Sequence, residues 1–417
     1  MSDIKDICVI GGGLAGLYYV YKTDINIDIY ESDNRTGGRY KTNYSHGIIS
    51  EYGAIRYEWG YQPFLEQLIT ELGIELCSFP PFCNDKGFEL EFIKEICVHL
   101  WSIYLNKDIN LTDITLENIN NVYNKNWLPY NNKLIYPYDI YMNDYIKNIN
   151  IDWYNKLKDI EENIRTFPVD NWTVLFWLLR WTKLLITNKN IKTVKNGNEE
   201  VVKRLSDNIK NINLNHKLYK IYKENNYYKL YFTNNIIIST KKIILTIPLN
   251  NINELNYNFP NKTLEVFEKI KPFKLGRVYV YLNNPTWDDD FNKMQNHMVE
   301  ELNTREIYYF KNNDKTIGLI MLYFDEIYFN HWINKTNDEI KYFFINKGFN
   351  NIFDIQTIFW DGLQYPIAFH YIDKNINPEY AINTLLNADK NISIIGDCSF
   401  EPGFIEGVLI NINKMIS

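Results

Sequence analysis

Cysteine is scarce in this 417-residue chain, which contains five, at positions 8, 77, 83, 97 and 398. The number is odd and no C-x-x-C pair occurs, so the sequence signals neither a disulfide framework nor a zinc site. We therefore predict no bound metal. Basic charge is also short, since 44 Lys and Arg face 51 Asp and Glu, for a net charge of −7. Without a basic patch, we expect no nucleic-acid partner.

Long apolar runs are missing as well. The most apolar stretch, residues 172–187, is interrupted by Arg180 and Lys183 and is shorter than a membrane-spanning helix. It predicts a buried or partly amphipathic helix, with a surface membrane anchor as the alternative. The chain enters its first apolar strand within a few residues and shows no signal peptide. We expect a soluble, cytoplasmic protein with no transmembrane segment.

A glycine-rich module opens the chain. The apolar run 7–10 leads into Gly11-Gly12-Gly13-Leu14-Ala15-Gly16, which satisfies G-x-G-x-x-G. Gly11 permits a tight turn, Gly13 lets a pyrophosphate approach the main chain, and Gly16 lets the next helix pack closely. A second strand, predicted over 25–30, ends in Glu31, an acid suited to bind a ribose. The cofactor contacts predicted for this module are Gly11, Gly13, Leu14, Ala15, Gly16, Glu31 and Ser32.

The segment after Glu31 indicates which dinucleotide cofactor the chain binds. Residues 35–42, RTGGRYKT, match the R-x-G-G-R-x-x-T segment of the flavin amine oxidase superfamily, which includes monoamine, polyamine and L-amino-acid oxidases. The chain thus resembles an FAD enzyme. Gly38 would let the main chain pass close to the ligand, and Arg39 would neutralise pyrophosphate charge.

The resemblance implies an α/β fold, with a doubly wound, Rossmann-like FAD-binding domain and a second, α+β substrate domain. At this length, two intimately joined domains are also the natural expectation. The implied FAD-binding segments are 1–78, 192–261 and 376–417. The implied substrate-domain segments are 79–191, mainly helical, and 262–375, rich in strands.

The next matching segment bears on the substrate. Residues 51–56, EYGAIR, resemble E-x-G-A-M-R of the amino-acid oxidase branch. Gly53, Ala54 and Ile55 would then lie near the flavin, and Arg56 would grip a substrate carboxylate through paired N–H donors. A structural arginine is the alternative.

Two further stretches suggest residues near the reaction. Arg277 stands ten residues before Trp287, where family members commonly place a lysine that holds a water near flavin N5. An arginine keeps the charge but not the compact ammonium. Residues 304–309 resemble a strand whose tyrosine helps to hold the carboxylate. Either Tyr308 or Tyr309 would do so, because alternation turns only one toward the site. A plain aromatic residue in the core of the strand is the alternative.

The remaining matches are shorter. Leu218 falls where the family places an apolar residue against adenine, and Trp360 opens a flavin-contacting segment. Residues 366–371 contain no cysteine, so FAD should be non-covalent. His370 and Tyr371 would border the flavin, each with a plain core or loop role as the alternative. The C-terminal contacts implied by the resemblance are Gly396, Asp397, Gly403, Phe404 and Ile405.

The implied reaction is oxidation of an amine, in first place the α-amino group of an L-amino acid. Hydride transfer to flavin N5 would be followed by imine hydrolysis and by peroxide release with O2 as oxidant. The alternatives are a mono- or polyamine oxidase, another FAD reaction on this fold (desaturation, isomerisation or monooxygenation), and a flavoprotein scaffold without turnover. The oligomeric state stays open, with a homodimer compatible with the sequence.

Overall fold

A computed structural model describes residues 4–23, 26–60, 62–79, 87–164, 172–187, 190–287, 302–363, 365–398 and 405–417. The helices are α1 Leu14–Thr23, α2 Pro63–Glu71, α3 Gly87–Leu105, α4 Leu116–Asn121, α5 Met142–Ile149, α6 Ile151–Ile164, α7 Val174–Thr187, α8 Glu199–Asp207, α9 Leu249–Asn253, α10 Asn261–Glu268, α11 Glu326–Trp332, α12 Asn337–Asn346, α13 Pro378–Leu386 and α14 Ile405–Ile416.

The strands are β1 Lys5–Ile10, β2 Asp28–Tyr30, β3 Thr42–Asn43, β4 Ser50–Glu51, β5 Tyr57–Glu58, β6 Leu76–Ser78, β7 Leu128–Tyr130, β8 Lys133–Ile135, β9 Ile191–Val194, β10 Ile212–Asn213, β11 Leu218–Lys223, β12 Tyr228–Phe232, β13 Ile237–Leu245, β14 Ile270–Phe273, β15 Leu275–Asn283, β16 Glu306–Lys311, β17 Ile317–Asp325, β18 Ile352–Trp360, β19 Phe369–Ile372 and β20 Ile392–Ile394.

The largest sheet has the order β10-β2-β1-β13-β12-β11, and β20 also pairs with β13. The pairings of β1 with β2 and β13, of β10 with β2 and of β13 with β20 are parallel. Helices α1, α2, α8 and α14 contribute to the apolar cluster on one face, and α9, α10 and α13 to the cluster on the other. A mostly parallel sheet covered on both faces is the doubly wound arrangement that the sequence predicts.

Strand β13 departs from the sequence prediction, which divides this region into strands over 236–240 and 242–247. The structure has one strand over Ile237–Leu245. Its first half pairs with β12 and its second half with β20, on the same side, while β1 runs along the other. Because each half has its own partner, the strand continues through the exposed Lys241.

The second main sheet is antiparallel, with the order β16-β17-β15-β18. Side chains alternate between its faces. Tyr279 and Tyr308 join the apolar cluster shared with the helical segment, whereas Val278 and Tyr309 join the opposite cluster with α11 and α12. One face of this sheet therefore packs against the helices between residues 87 and 187 and against the segment around residues 48–55.

The apolar stretch near residue 180 forms α7, as predicted. Both of its charges, Arg180 and Lys183, are buried, and Arg180 pairs with Glu58 of β5. Among the described residues no helix has the length and apolar character to cross a bilayer.

Candidate active site

The glycine turn between β1 and α1 has the close packing that its spacing predicts. A Cβ placed on Gly16 would lie 2.1 Å from the carbonyl oxygen of Gly11, so any larger residue would push the helix off the strand. Gly13 is different, because a Cβ there would meet nothing within 4 Å. The same open space borders Gly38, where the nearest atom to an added Cβ is the Cα of Gly13 at 3.5 Å. Glycines of the first turn and of the R-x-G-G-R segment thus border one gap. A Cβ on Gly396 would also meet nothing within 4 Å.

This gap has features that suit a pyrophosphate. Gly37 donates its N–H to the carbonyl of Gly12 at 2.8 Å, which fixes the R-x-G-G-R segment onto the glycine turn. Leu14 and Ala15 begin α1 at the rim, where the N–H groups of a first helical turn favour anions. Open space, main-chain donors and the nearby Arg39 fit a dinucleotide.

Glu31 lies at the end of β2, beside the turn. Its carboxylate accepts hydrogen bonds from the N–H groups of Gly12 at 2.6 Å and Asp33 at 2.8 Å, and from the hydroxyl of Ser32 at 3.0 Å. The residue is buried. These contacts hold the carboxylate at the mouth of the turn, where the sequence places the ribose.

A three-residue charge cluster joins the other predicted cofactor segments. Arg39 Nη1 donates to Asp397 Oδ2 at 2.5 Å and to the carbonyl of Ala368 at 2.8 Å. The main-chain N–H of His370 donates to the same Oδ2 at 2.9 Å, and its Nδ1 lies 3.3 Å from Oδ1. Burial alone would raise the pKa of Asp397, but Arg39 and His370 reverse this and hold the pKa below its usual value.

Cys398 lies beside this cluster, and the ligand atoms of His370, Asp397 and Cys398 are within 4.8 Å of one another. Asp397 is already engaged by Arg39 and His370. Burial raises the pKa of the Cys398 thiol well above its usual value. The contacts of Asp397 with Arg39 and His370 form a hydrogen-bonded cluster around the Arg39–Asp397 ion pair.

The segment 51–55, predicted to face the flavin, is held through its carbonyl oxygens. Arg277 and the Tyr279 hydroxyl donate to the carbonyl of Glu51, the indole N–H of Trp360 donates to that of Tyr52 at 2.7 Å, and Arg277 donates to that of Gly53 at 2.7 Å. Two further side chains continue the series, with Asn198 donating to the carbonyl of Ala54 at 2.8 Å and Thr193 to that of Ile55 at 3.0 Å.

Gly53 is required by this packing. A Cβ there would lie 1.6 Å from the carbonyl oxygen of Arg39, closer than any two such atoms approach. The segment 51–55 is therefore pressed against the R-x-G-G-R segment on one side and held by the β15–β18 sheet on the other.

Arg56 has a partner that sequence reasoning missed. Its guanidinium forms two hydrogen bonds with the carboxylate of Glu306, at 3.0 and 3.1 Å, and a third with the Tyr308 hydroxyl at 2.5 Å. Burial would raise the pKa of Glu306, but Arg56 lowers it below its usual value. The alternation of β16 carried the signal, since Glu306 precedes Tyr308 by two residues and shares its face.

The other predicted site residues lie as follows. Tyr309 is on the opposite face of β16, packed against Trp287 with ring centroids 5.3 Å apart, so Tyr308 is the tyrosine beside Arg56. Tyr371 follows His370 on β19 and faces the other way by alternation. Leu218 is buried in an apolar cluster at the start of β11. Ile405 opens α14, whereas Gly403 and Phe404 lie outside the described residues.

Comparisons with known proteins agree with this geometry. The profile of the flavin-containing amine oxidoreductase family matches residues 158–347, and that of the NAD(P)-binding Rossmann-like domain matches residues 9–72. No curated protein sequence matches significantly.

Similar solved structures include a variant of putrescine oxidase, with a TM-score of 0.76 and 14% identity over 100% of this chain and 98% of that one. Putrescine oxidase bound to putrescine has a TM-score of 0.72 and 14% identity over 100% and 99% of the two chains. Cyclohexylamine oxidase from Brevibacterium oxydans IH-35A has a TM-score of 0.73 and 14% identity over 99% and 98%.

The fold and the site thus define a flavin-dependent oxidoreductase. Residues 158–347 match the flavin-containing amine oxidoreductase family and residues 9–72 match a Rossmann-like dinucleotide-binding domain, which indicates an FAD-dependent amine oxidoreductase.

Proposed function

We propose that this enzyme oxidises an amine that carries no α-carboxylate, and that the Arg56–Glu306 pair sets this preference. Glu306 is buried and Arg56 is mostly buried, with side-chain exposures of 5% and 15%, and both terminal nitrogens of Arg56 donate to the Glu306 carboxylate. A substrate carboxylate would have to displace Glu306 and leave that carboxylate buried without its partner. Removing one member of a buried ion pair costs about 3–5 kcal/mol.

The similar structures support the same choice of substrate class. They include oxidases named for putrescine and cyclohexylamine, and neither amine has a carboxylate. Tyr308 also supports the proposal. Its hydroxyl accepts a hydrogen bond from Arg56 and donates one to Glu306, so the three side chains are bonded to one another. The L-amino-acid prediction from the sequence remains the alternative, in which the substrate carboxylate takes the place of Glu306.

When bound, FAD would accept the two electrons of the C–H bond next to the substrate nitrogen. The residues of the chain would bind the cofactor and orient the substrate. We propose that Glu31 binds the ribose, Arg39 offsets pyrophosphate charge, and Gly53, Ala54 and Ile55 support the flavin ring. FAD is proposed to be non-covalent, and O2 to be the oxidant that yields peroxide.

A panel of matched pairs tests the proposal. Each pair consists of an L-amino acid and the amine formed by its decarboxylation, such as ornithine with putrescine and phenylalanine with phenethylamine. The measurement is anaerobic bleaching of the flavin in stopped flow. We expect the amine of at least one pair to reduce the flavin faster than its amino acid. Faster reduction by the amino acid in every reactive pair would overturn the proposal in favour of an L-amino-acid oxidase. Peroxide release under air tests the oxidant.

A further inference from the structure

The side chain of Arg277 is directed at protein carbonyls. Its two terminal nitrogens donate to the carbonyls of Glu51 and Gly53, and its guanidinium lies over the ring of Tyr323, 5.0 Å from the centroid. Arg277 is 4% exposed. Both terminal nitrogens of the guanidinium are therefore engaged with the same short stretch of main chain.

Two neighbouring side chains on this sheet also donate hydrogen bonds to carbonyls of segment 51–55. Tyr279 is two residues further along β15, on the same face, and its hydroxyl donates to the carbonyl of Glu51 at 2.5 Å. Trp360 is on β18, which pairs with β15 so that Trp360 lies opposite Leu275, and it donates to the carbonyl of Tyr52. Three consecutive carbonyls are thus bound by one face of one sheet.

These carbonyls need such donors. Glu51 ends β4, and residues 52–56 form neither helix nor strand, so the carbonyls of Tyr52 and Gly53 have no ladder partner. Its N–H groups are already used, because Tyr52 and Gly53 donate to the carbonyl of Lys41 and Ala54 donates to that of Arg39. A main-chain carbonyl without a donor in such a place is costly, so the side chains fix the path of the segment.

We propose that Arg277 is a positioning residue that, together with Tyr279, fixes segment 51–55 and thereby the surface on which the flavin rests. It acts through the main chain of residues 51–53. The inference rests on the proposed function in one respect, that FAD lies against Gly53, Ala54 and Ile55. It departs from the role suggested by the position of Arg277 before Trp287, in which the cation itself serves flavin N5.

The two roles differ in what a lysine can do. Arg277→Lys keeps the positive charge but replaces a planar fork by a single ammonium, which cannot reproduce both bonds in their geometry. Tyr279→Phe removes a donor to the same carbonyl without changing any charge. Tyr281→Phe is the matched control, since Tyr281 lies on the same face of β15 but its hydroxyl bonds Asn43 and Ser50, which precede segment 51–55.

The first measurement is amide hydrogen exchange of the peptide covering residues 50–56 in apoprotein, which needs neither flavin nor turnover. We expect faster exchange there in Arg277→Lys and Tyr279→Phe, and the wild-type rate in Tyr281→Phe. The second is FAD affinity, by titration of apoprotein, together with the flavin midpoint potential. Losing a hydrogen bond to a charged group should weaken FAD binding by about tenfold or more in Arg277→Lys. Tyr279→Phe should weaken it less, and both variants should shift the potential in the same direction.

Wild-type exchange, FAD affinity and potential in both Arg277→Lys and Tyr279→Phe would overturn the proposal, because they would show that only the charge matters. A lowered FAD affinity in Arg277→Lys with unchanged exchange at 50–56 would also overturn it. A failure to oxidise any amine would count against the proposed function alone, since the exchange experiment does not depend on it.

Discussion

The carboxylate of Glu406, in the first turn of α14, accepts hydrogen bonds from the main-chain N–H of Leu65 at 3.0 Å, across 341 residues of sequence. It also accepts from the N–H of Phe64 at 3.1 Å. These donors belong to the first turn of α2, whose N-cap residue Gln62 makes no side-chain cap. Glu406 therefore caps a helix from the other end of the chain, and it lies among the buried charges Glu58, Arg180 and Lys183.

Replacing Glu406 should destabilise the protein. Glu406→Ala removes the acceptor of the buried Leu65 N–H and of the partly buried Phe64 N–H, and we expect a loss of about 2–3 kcal/mol in the free energy of unfolding. The measurement is urea unfolding of the apoprotein. Glu379→Ala is the control, since Glu379 also lies in the first turn of a helix but is exposed, and it should change stability by about 0.5 kcal/mol or less. Equal effects of the two variants would contradict the capping role.

Lys183 should make stability depend on pH. Burial lowers its pKa to about 8, and Glu58 and Glu406 oppose that shift while Arg180 adds to it. In the unfolded chain the lysine has its ordinary pKa of 10.5, so between these values the unfolded chain binds the proton more often. Stability from this group is therefore lower below pH 8 and rises with pH above it.

We expect the stability of wild type relative to Lys183→Met to increase by on the order of 2 kcal/mol from pH 7 to 9.5. Taking the difference cancels the buried tyrosines and cysteines, which titrate in the same range. Lys203→Met replaces an exposed lysine of α8 and should give a flat difference. A flat difference for Lys183→Met as well would mean that Lys183 keeps an ordinary pKa in the folded protein.

The Arg56–Glu306 pair should show strong coupling. Arg56→Met alone leaves Glu306 buried without its partner and should cost about 3–5 kcal/mol of unfolding free energy. The double variant Arg56→Met/Glu306→Gln should recover part of that loss, because no unpaired charge remains. A double-mutant cycle by denaturant unfolding measures the coupling. Additive effects would indicate that the two side chains are separated in solution and that Arg56 is available to a ligand.

Glu31 should matter for FAD retention more than for the fold. Glu31→Gln keeps the size of the side chain but removes the charge that accepts from Gly12 and Asp33. We expect FAD to bind about tenfold more weakly, as for the loss of a charge-assisted hydrogen bond. Asp33→Asn is the matched control, because its side chain is 59% exposed. Equal FAD affinity in wild type and Glu31→Gln would place the ribose elsewhere.

Non-covalent attachment predicts that denaturation frees the cofactor. Acid precipitation of the yellow protein should leave all of the FAD in the supernatant, identified by its absorbance and fluorescence. Flavin that remains with the pellet would show a covalent bond to a residue that the sequence does not suggest.

Short-range sequence patterns were sufficient to predict much of the fold. The apolar run, the glycine spacing and Glu31 predicted β1, α1 and the end of β2, because those residues are neighbours in sequence and their roles depend on the turn itself. Helix α7 followed from its apolar length. The boundaries of strands were less certain, as in β13, where the partners β12 and β20 decide the continuity.

The site was predicted only in part, because its decisive contacts join distant residues. The sequence predicted Arg56 to lie near the substrate. Its partner Glu306 is 250 residues away, and no residue near Arg56 in the sequence indicates that pairing. Alternation limited the choice between Tyr308 and Tyr309 to one, yet could not say which one. Tyr279, Asn198 and Thr193 donate hydrogen bonds to main-chain carbonyls. Contacts of this kind leave no motif in the sequence.

The strand order of the large sheet has a consequence for synthesis. Strand β1 is flanked by β2 and by β13, which lies more than two hundred residues further on. At ribosomal rates of roughly 5–20 residues per second, β13 follows β1 out of the ribosome after about 10–50 s. During that interval β1 presents an unpaired apolar edge, which is a template for aggregation. The glycine turn after β1 is thus made long before the sheet around it is complete, and FAD can be held only when the later strands have emerged.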